Sequence, residues 1–285
     1  MSIVIQLRYS IILRERNECT PLDFKIAKGD EFENYKRKLF AVERLNVHEN
    51  LLLNLTLPSL RAQVGGIDPA EVRLFIYISN LMPKCYVDRL MRETAGDAWI
   101  EVIEVDPGTP PEFAVDAARF VEETAPAGRE AHVPVATVRL DDDDGLCSTF
   151  LRRLKAYVKP EFSGMCVSFS KGYLATYEPE RAKLKNFIDY EYPKNAQGLA
   201  YVNSYDLTSK RWKCMPATVL DLGNHLKVDE KVPVICDAQE PSYLLVHHNM
   251  CDSYKDRYLQ KLFKDAVFLD PSGFREKIDI ASNLL

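Results

Sequence analysis

The chain reads as an α/β protein with a mainly parallel sheet and a mixed, antiparallel second half. Three observations predict this. Apolar, β-branched runs alternate with stretches of helical periodicity up to about residue 160. Beyond it the signals shorten into closely spaced strands. At the junction, the apolar run Val133–Leu140 ends in four consecutive carboxylates, Asp141 to Asp144. We take 1–160 as one half and 161–285 as the other, together forming a single unit.

The elements follow in order. Ile3 to Ser10 is a first strand. From Asp30 to Gln63 the pattern is helical, with Phe32, Tyr35, Leu39 and Val42 at spacings of three and four, Pro58 kinking or restarting it and Gly65-Gly66 closing it. Val72–Ser79 is a second strand. Pro83 opens a helix with Val87, Leu90 and Met91 on one face. Trp99–Val105 is a third strand, and Phe113, Ala117, Phe120 and Val121 mark the next helix. Val133–Leu140 is the fourth strand, and a helix begins with Leu146, Phe150 and Leu154. Such a β-α-β succession places helices on both faces of a parallel sheet. In the second half, Met165–Phe169 and Tyr173–Tyr177 flank Lys171-Gly172 as a hairpin would. Strand signals recur at Leu199–Val202, Thr218–Leu222 and Tyr243–His247, and Tyr254, Tyr258, Leu259, Leu262 and Phe263 form a helical tail.

Composition narrows the function. With 285 residues, 46% hydrophobic, the chain can bury a substantial core. A net charge of -5 without any basic block argues against nucleic-acid binding. Seven scattered cysteines, with no C-x-x-C pair, argue against a zinc module or a disulfide framework and for reduced thiols in a cytoplasmic protein. The apolar N-terminus is short, is interrupted by Arg8 and lacks a basic start, and no apolar run reaches the length of a membrane span. The sequon Asn54-Leu55-Thr56 carries no weight in the cytosol.

The acidic run carries the chemistry. Asp and Gly are common in solvated turns, so Asp141 to Gly145 has a bland reading as an acidic bend. A preceding buried strand shifts the weight, because ligands of open α/β sheets gather beyond the carboxyl ends of strands. Two carboxylates ~4 Å apart repel by roughly 4 kcal/mol at an effective dielectric of about 20, and a cation between them turns that cost into binding. Oxygen ligands of this kind suit Mg²⁺ or Mn²⁺ beside substrate phosphates.

A parallel half ending in a D-x-D motif, followed by a mixed half, resembles the GT-A fold of nucleotide-sugar glycosyltransferases. Leu140-Asp141-Asp142-Asp143-Asp144 is similar to the L-D-x-D-D form of that motif, and Thr56–Gln63 resembles the S-L-x-x-Q helix end before the second strand. More narrowly, Arg8-Tyr9-Ser10, Leu57-Pro58-Ser59 and Arg139-Leu140-Asp141 occur in the order of R-F-S, L-P-S and T-R-L-D-x-D-D in a rhamnosyltransferase family, and Pro241-Ser242-Tyr243-Leu244 with His248 resembles its later P-x-W-L segment and histidine. Ser79-Asn80 stands where many such enzymes have an acidic residue, and Tyr243 replaces the tryptophan; both departures bear on base and sugar selection.

The resemblance implies a metal-dependent hexosyltransferase, using Mn²⁺ or Mg²⁺. It would move a sugar, rhamnose by the family's label, from a TDP-, UDP- or GDP-sugar to a saccharide acceptor in surface polysaccharide synthesis at the inner face of the membrane. It makes Asp143 the direct metal ligand, with Asp141 on ribose or metal and Asp144 in support; strand alternation, if it persists, points Asp142 the opposite way. A late histidine completes the shell, and His248 fits better than His247. Arg8 and Ser79 end the first two strands on the same rim, so with Arg139 and Asp141 they are the donor-binding candidates; Arg139 could equally pair with the neighbouring carboxylates. An inverting transfer needs a general base. Asp189, Glu191, Asp206, Asp237 and Glu240 are available, and Asp237 and Glu240 lie nearest the histidine pair in sequence. Tyr190, Tyr192, Tyr201, Tyr205 and Trp212 could stack on acceptor sugars or pack the core. Two other readings use the same acidic rim: a nucleotidyl- or phosphotransferase, against which the lack of a glycine-rich phosphate loop counts, and a non-catalytic divalent-ion or carbohydrate-binding module.

Overall fold

Strands β1 (Ser2–Tyr9), β2 (Val72–Ser79), β3 (Ile100–Val105) and β4 (His132–Asp141) lie parallel in the order β4-β1-β2-β3 in a computed structural model that describes residues 1–13, 29–125, 131–251, 256–274 and 277–285. Alternation along the strands builds both faces. Ile3, Ile5 and Leu7 join Leu74, Ile76 and Ile78 in a core with Leu45, Leu60 and Leu90. Val4, Phe75 and Tyr77 turn to the other side, onto Phe113, Ala117 and Phe120. Helices α2 (Val42–Leu51), α3 (Leu57–Arg61), α4 (Lys84–Thr94) and α5 (Phe113–Thr124) supply these partners, while α1 (Phe32–Leu39) packs Tyr35 and Leu39 on Ile12.

The sheet continues past β4 into strands from beyond residue 160. Numbered in chain order, β5 (Gly145–Leu146), α6 (Phe150–Lys155), β6 (Met165–Phe169), β7 (Lys171–Glu178), β8 (Lys183–Glu191), β9 (Ala200–Asp206), β10 (Arg211–Trp212), β11 (Val234–Asp237), β12 (Tyr243–His247) and α7 (Asp256–Phe263) follow. β9 pairs antiparallel with β4 and with β6, and β6 pairs parallel with β11. A second sheet has the order β5-β12-β7-β8. The α/β class with a mainly parallel sheet and antiparallel additions is thus as expected, and strands from both sides of residue 160 share the central sheet. No helix among the described residues is long and apolar enough to cross a membrane. Among the described residues no two cysteines form a disulfide; Cys19 and Tyr254 lie outside the described residues.

Several local expectations are corrected. β6 and β7 do not form a hairpin: Ser170 is the single residue between them, and there the chain leaves the central sheet for the second one. The hairpin is β7–β8. Gly172 serves a close approach, not a turn. A Cβ there would lie 2.6 Å from ring carbons of Tyr243, a fully buried side chain whose hydroxyl donates to Ser170 O at 3.1 Å. Gly172→Ala is therefore expected to cost roughly 1–3 kcal/mol through overpacking, read as a fall of several degrees in Tm; an unchanged melting curve would refute it. Thr218–Leu222 is a turn, in which Asp221 accepts both the N–H and the hydroxyl of Thr218, while Val219, Leu220 and Leu222 still pack into the core. Leu146 belongs to β5, so α6 starts only at Phe150. Met91 and Val42 are exposed, leaving Leu90 and Tyr86 as the buried residues of α4's apolar face.

The long helical segment is interrupted twice, between α1 and α2 and by a π-helical turn at Leu52–Thr56, where the Leu57 N–H reaches back to Leu52 O. Pro58, with no N–H to donate, sits in the first turn of α3, so the restart expected there takes the form of a widened turn ahead of it.

Candidate functional site

The acidic run forms the turn between β4 and β5, beyond the carboxyl ends of the parallel strands. It is not a solvated bend: Asp142, Asp143 and Asp144 are 4%, 9% and 1% exposed. The segment Thr56–Gln63 holds this turn in place. Thr56 Oγ1 donates to Asp142 O at 3.1 Å, and Ser59 Oγ accepts the Leu146 N–H at 3.1 Å. Gln63 donates to Cys147 O at 3.0 Å and accepts the Leu151 N–H at 2.9 Å. The L-P-S-L-x-x-Q pattern thus has a physical reason: its polar side chains satisfy the buried backbone of the acidic turn.

Each of the four carboxylates has its own surroundings. Asp141 is the exposed end of the set and takes an ion pair from Arg139 at 3.1 Å. Burial works to raise its carboxyl, but Arg139, then Arg8, outweigh this and hold it below the usual range, with a smaller contribution from His225. Burial pushes the Asp142 carboxyl up to about 7; its oxygens meet His48 Nδ1 at 3.1 and 3.2 Å. Asp143 Oδ2 lies 3.0 Å from His248 Nε2. Asp144 turns away and accepts the Val246 N–H at 2.9 Å and the Gln197 amide at 2.7 Å. Its carboxyl is pushed well up by burial first and then by the charges of Asp143 and Asp141.

Three side chains converge. Ligand-capable atoms of His48, Asp143 and His248 all lie within 4.8 Å of one another, and all three residues are buried. The His48 and His248 rings stand 5.1 Å apart, edge to face. Burial, with Arg44 nearby, drives the His48 imidazole down to about 3, so it is neutral, the form that ligates metals. The donor set fits a divalent ion. The 3.0 Å between Asp143 Oδ2 and His248 Nε2 matches neighbouring ligands at right angles with bonds of ~2.1 Å, and a buried carboxylate between two imidazoles suits a borderline ion better than a hard one.

Other sequence candidates fall elsewhere. His247 is buried on the other side of β12's end, with Nδ1 4.0 Å from Cys251 Sγ and its ring facing Tyr258. Arg8 pairs in register with Asp141 and Gln6 with Arg139, so Arg8, Arg139 and Asp141 share one rim. Arg139 Nε is buried without a partner among the described residues. Ser79 is fully buried, and its hydroxyl accepts the Leu81 N–H at 3.2 Å, which makes it part of the turn after β2. Asp237, a base candidate, is held by three hydrogen bonds: its oxygens accept Arg153 at 2.8 Å, Tyr157 OH at 3.0 Å and Gln239 N–H at 3.0 Å. Glu240 has an exposed side chain and meets Arg153 through its carbonyl. Tyr201 and Tyr205 are core residues, and Tyr190 and Tyr192 stack with centroids 6.1 Å apart.

Residues 18–258 match the model of the family described as "Putative rhamnosyl transferase". The chain belongs to this family. No curated protein sequence matches it. Among solved structures, the member resembles S. aureus TarS 1-349 at 8% identity and a TM-score of 0.37, over 86% of this chain and 60% of that one. It therefore spans less than two thirds of that TarS structure. It also resembles a "Putative Glucose-1-Phosphate Thymidylyltransferase" from Bacillus anthracis in complex with a sucrose (9% identity, TM-score 0.31, 94% of this chain and 98% of that one). A third match is the inositol-1-phosphate CTP transferase of T. maritima (11% identity, TM-score 0.28, 94% and 98%).

Sequence reasoning about this family member missed His48 and Arg44. One signal existed. His48 shares a helical face with Leu45 and Leu52, and a polar residue on the apolar stripe of a helix demands a buried partner. Arg44, one turn earlier and 1% exposed, carries the same signal and donates to Ser10 Oγ at 2.7 Å.

Proposed function

We propose that the protein is a metal-dependent glycosyltransferase that moves a sugar from a nucleoside diphosphate sugar to a saccharide acceptor, with rhamnose the sugar the family description supports. The observation that carries this reading is the buried acidic turn at the carboxyl ends of the parallel strands, where Asp143 stands beside two imidazoles. Asp143 is the metal-holding carboxylate of this reading, with the imidazoles of His48 and His248 as the candidate nitrogen donors. Asp141, Arg8 and Arg139 form the rim for nucleotide and diphosphate, and the buried, unpaired Nε of Arg139 is a donor suited to an anionic ligand. In the transfer the anomeric C–O bond to the diphosphate breaks, the acceptor oxygen bonds the anomeric carbon, and the acceptor hydroxyl loses its proton. A divalent ion, when bound, supplies positive charge where the leaving diphosphate gains negative charge. The two arginines act in the same sense from the rim.

Calorimetric titration with UDP, TDP and GDP, with and without Mn²⁺, tests the proposal. At least one diphosphate is expected to bind more tightly with Mn²⁺, and Mg²⁺ is expected to be a weaker substitute because two of the three candidate donors are nitrogens. A panel of nucleotide sugars then identifies the donor by release of its diphosphate. Failure of every diphosphate to bind in either condition would sink the proposal.

A further inference from the structure

We infer that His48 is the imidazole that completes the metal shell beside Asp143, and that Asp142 is the residue that positions it. The inference rests on the metal-dependent reading above and deepens it. His48 lies in the last turn of α2, far in sequence from the acidic run, with its side chain 4% exposed. Its Nδ1 meets both Asp142 oxygens, at 3.1 and 3.2 Å. With a cation bound beside it Asp142 would be ionised and could only accept, so Nδ1 would donate and the Nε2 lone pair would face the metal. Nε2 also faces Met250 O at 3.3 Å, a long contact that needs a proton on Nε2 and that His48 would give up on binding a metal. This is the arrangement in which a carboxylate behind a histidine fixes the tautomer and ring orientation for a metal.

His248 is arranged differently. Its Nδ1 accepts the Met250 N–H at 3.2 Å, which puts the ring proton on Nε2, facing Asp143 at 3.0 Å. In that state His248 is a hydrogen-bond donor to Asp143. To ligate through Nε2 it must move its proton to the other nitrogen, and the Met250 amide must turn away. His48 has only the long contact to Met250 O to release, and Asp142 already stands behind its other nitrogen.

The helix itself is adapted to this pairing. Asp142 is gripped twice by one helical segment, at its carboxylate by His48 and at its carbonyl by Thr56. In a regular α-helix, residues eight apart are turned about 80° from each other. The π turn at Leu52–Thr56 inserts one extra residue and removes about 100° of that rotation, bringing the two positions within about 20° of one face. The widened turn thus lets His48 and Thr56 address the same aspartate.

The test uses Mn²⁺ alone with the full chain, its binding followed by EPR and its nitrogen ligands by electron spin-echo modulation, with a thermal melt for each variant. Wild type is expected to show imidazole nitrogen coupling. His248→Gln is expected to retain it, whereas His48→Gln loses it and binds Mn²⁺ at least about tenfold more weakly. Asp142→Ala is expected to weaken Mn²⁺ binding about 10–100-fold, and Asp142→Asn to recover part of that loss because its amide oxygen still accepts from Nδ1. Should His48→Gln fail to fold, persistence of the nitrogen signal in His248→Gln still supports the inference, and its disappearance there overturns it. Unchanged affinity and coupling in a folded His48→Gln protein would overturn it while leaving the proposed function standing. No Mn²⁺ binding by the wild type would overturn both.

Discussion

Replacing Asp143 by Asn is expected to cut metal-dependent turnover by about 10²–10³-fold with the fold intact. Among the four aspartates, Asp143 is the one whose carboxylate joins the His48 and His248 cluster; Asp141 faces Arg139, Asp142 faces His48 Nδ1, and Asp144 is taken by Val246 N–H and Gln197. Losing a metal-ligand charge removes several kcal/mol of charge stabilisation, and each 1.36 kcal/mol is a factor of ten in rate. The fold should tolerate the change. Asn has the same shape, and the Asp143 charge is one of the terms that force the neighbouring Asp144 carboxyl upward, so its removal relieves repulsion. Steady-state donor turnover with Mn²⁺, together with Tm, checks both halves. Full turnover in the variant would exclude Asp143 from the chemistry.

The sheet was legible because β1, β2 and β4 combine continuous apolar runs with helical stretches between them, and burial on both faces requires both signals; β3, at the sheet edge, mixes charged with apolar residues instead. The second half was harder. Ser170 is too short a link to announce that the chain changes sheets, and Lys171-Gly172 copies the composition of a turn while serving Tyr243. Thr218–Leu222 has the apolar content of a strand because three of its side chains pack in the core, yet its backbone is held by Asp221. At the site, the acidic run and the late histidine pointed to two side chains, Asp143 and His248, that lie side by side in the fold. His48 was not legible, since its partner Asp142 lies 94 residues away and spacing carries no trace of that contact. Asp142 misled for the same reason. Strand alternation turned it away from Asp141 and Asp143, but what it turned toward was a helix that the sequence does not place.

Replacing Asp237 by Ala is expected to lower Tm by on the order of 10 °C, because it breaks a buried ion pair. Asp237 and Arg153 have side chains 6% and 12% exposed and meet at 2.8 Å. Arg153 also lies over the Phe169 ring, 4.6 Å from its centroid, and donates to Glu240 O and Ser242 Oγ, so it ties α6 to β6 and to the segment before β12. Removing one partner leaves a desolvated charge, at a cost of roughly 3–5 kcal/mol, and each kcal/mol is worth about 2–4 °C in a chain of this size class. Arg153→Met separates structure from catalysis. Arginine does not act as a base near neutral pH, so an ion pair predicts that both single variants lose similar stability, whereas a base at Asp237 predicts that turnover collapses in Asp237→Asn with Tm nearly unchanged and that Arg153→Met has no matching effect. Thermal melts of Asp237→Ala and Arg153→Met, with kcat measured on Asp237→Asn, distinguish the two. The geometry favours the ion pair, since the carboxylate is buried and Arg153, Tyr157 OH and Gln239 N–H take three of its roughly four lone-pair sites, leaving one on Oδ2.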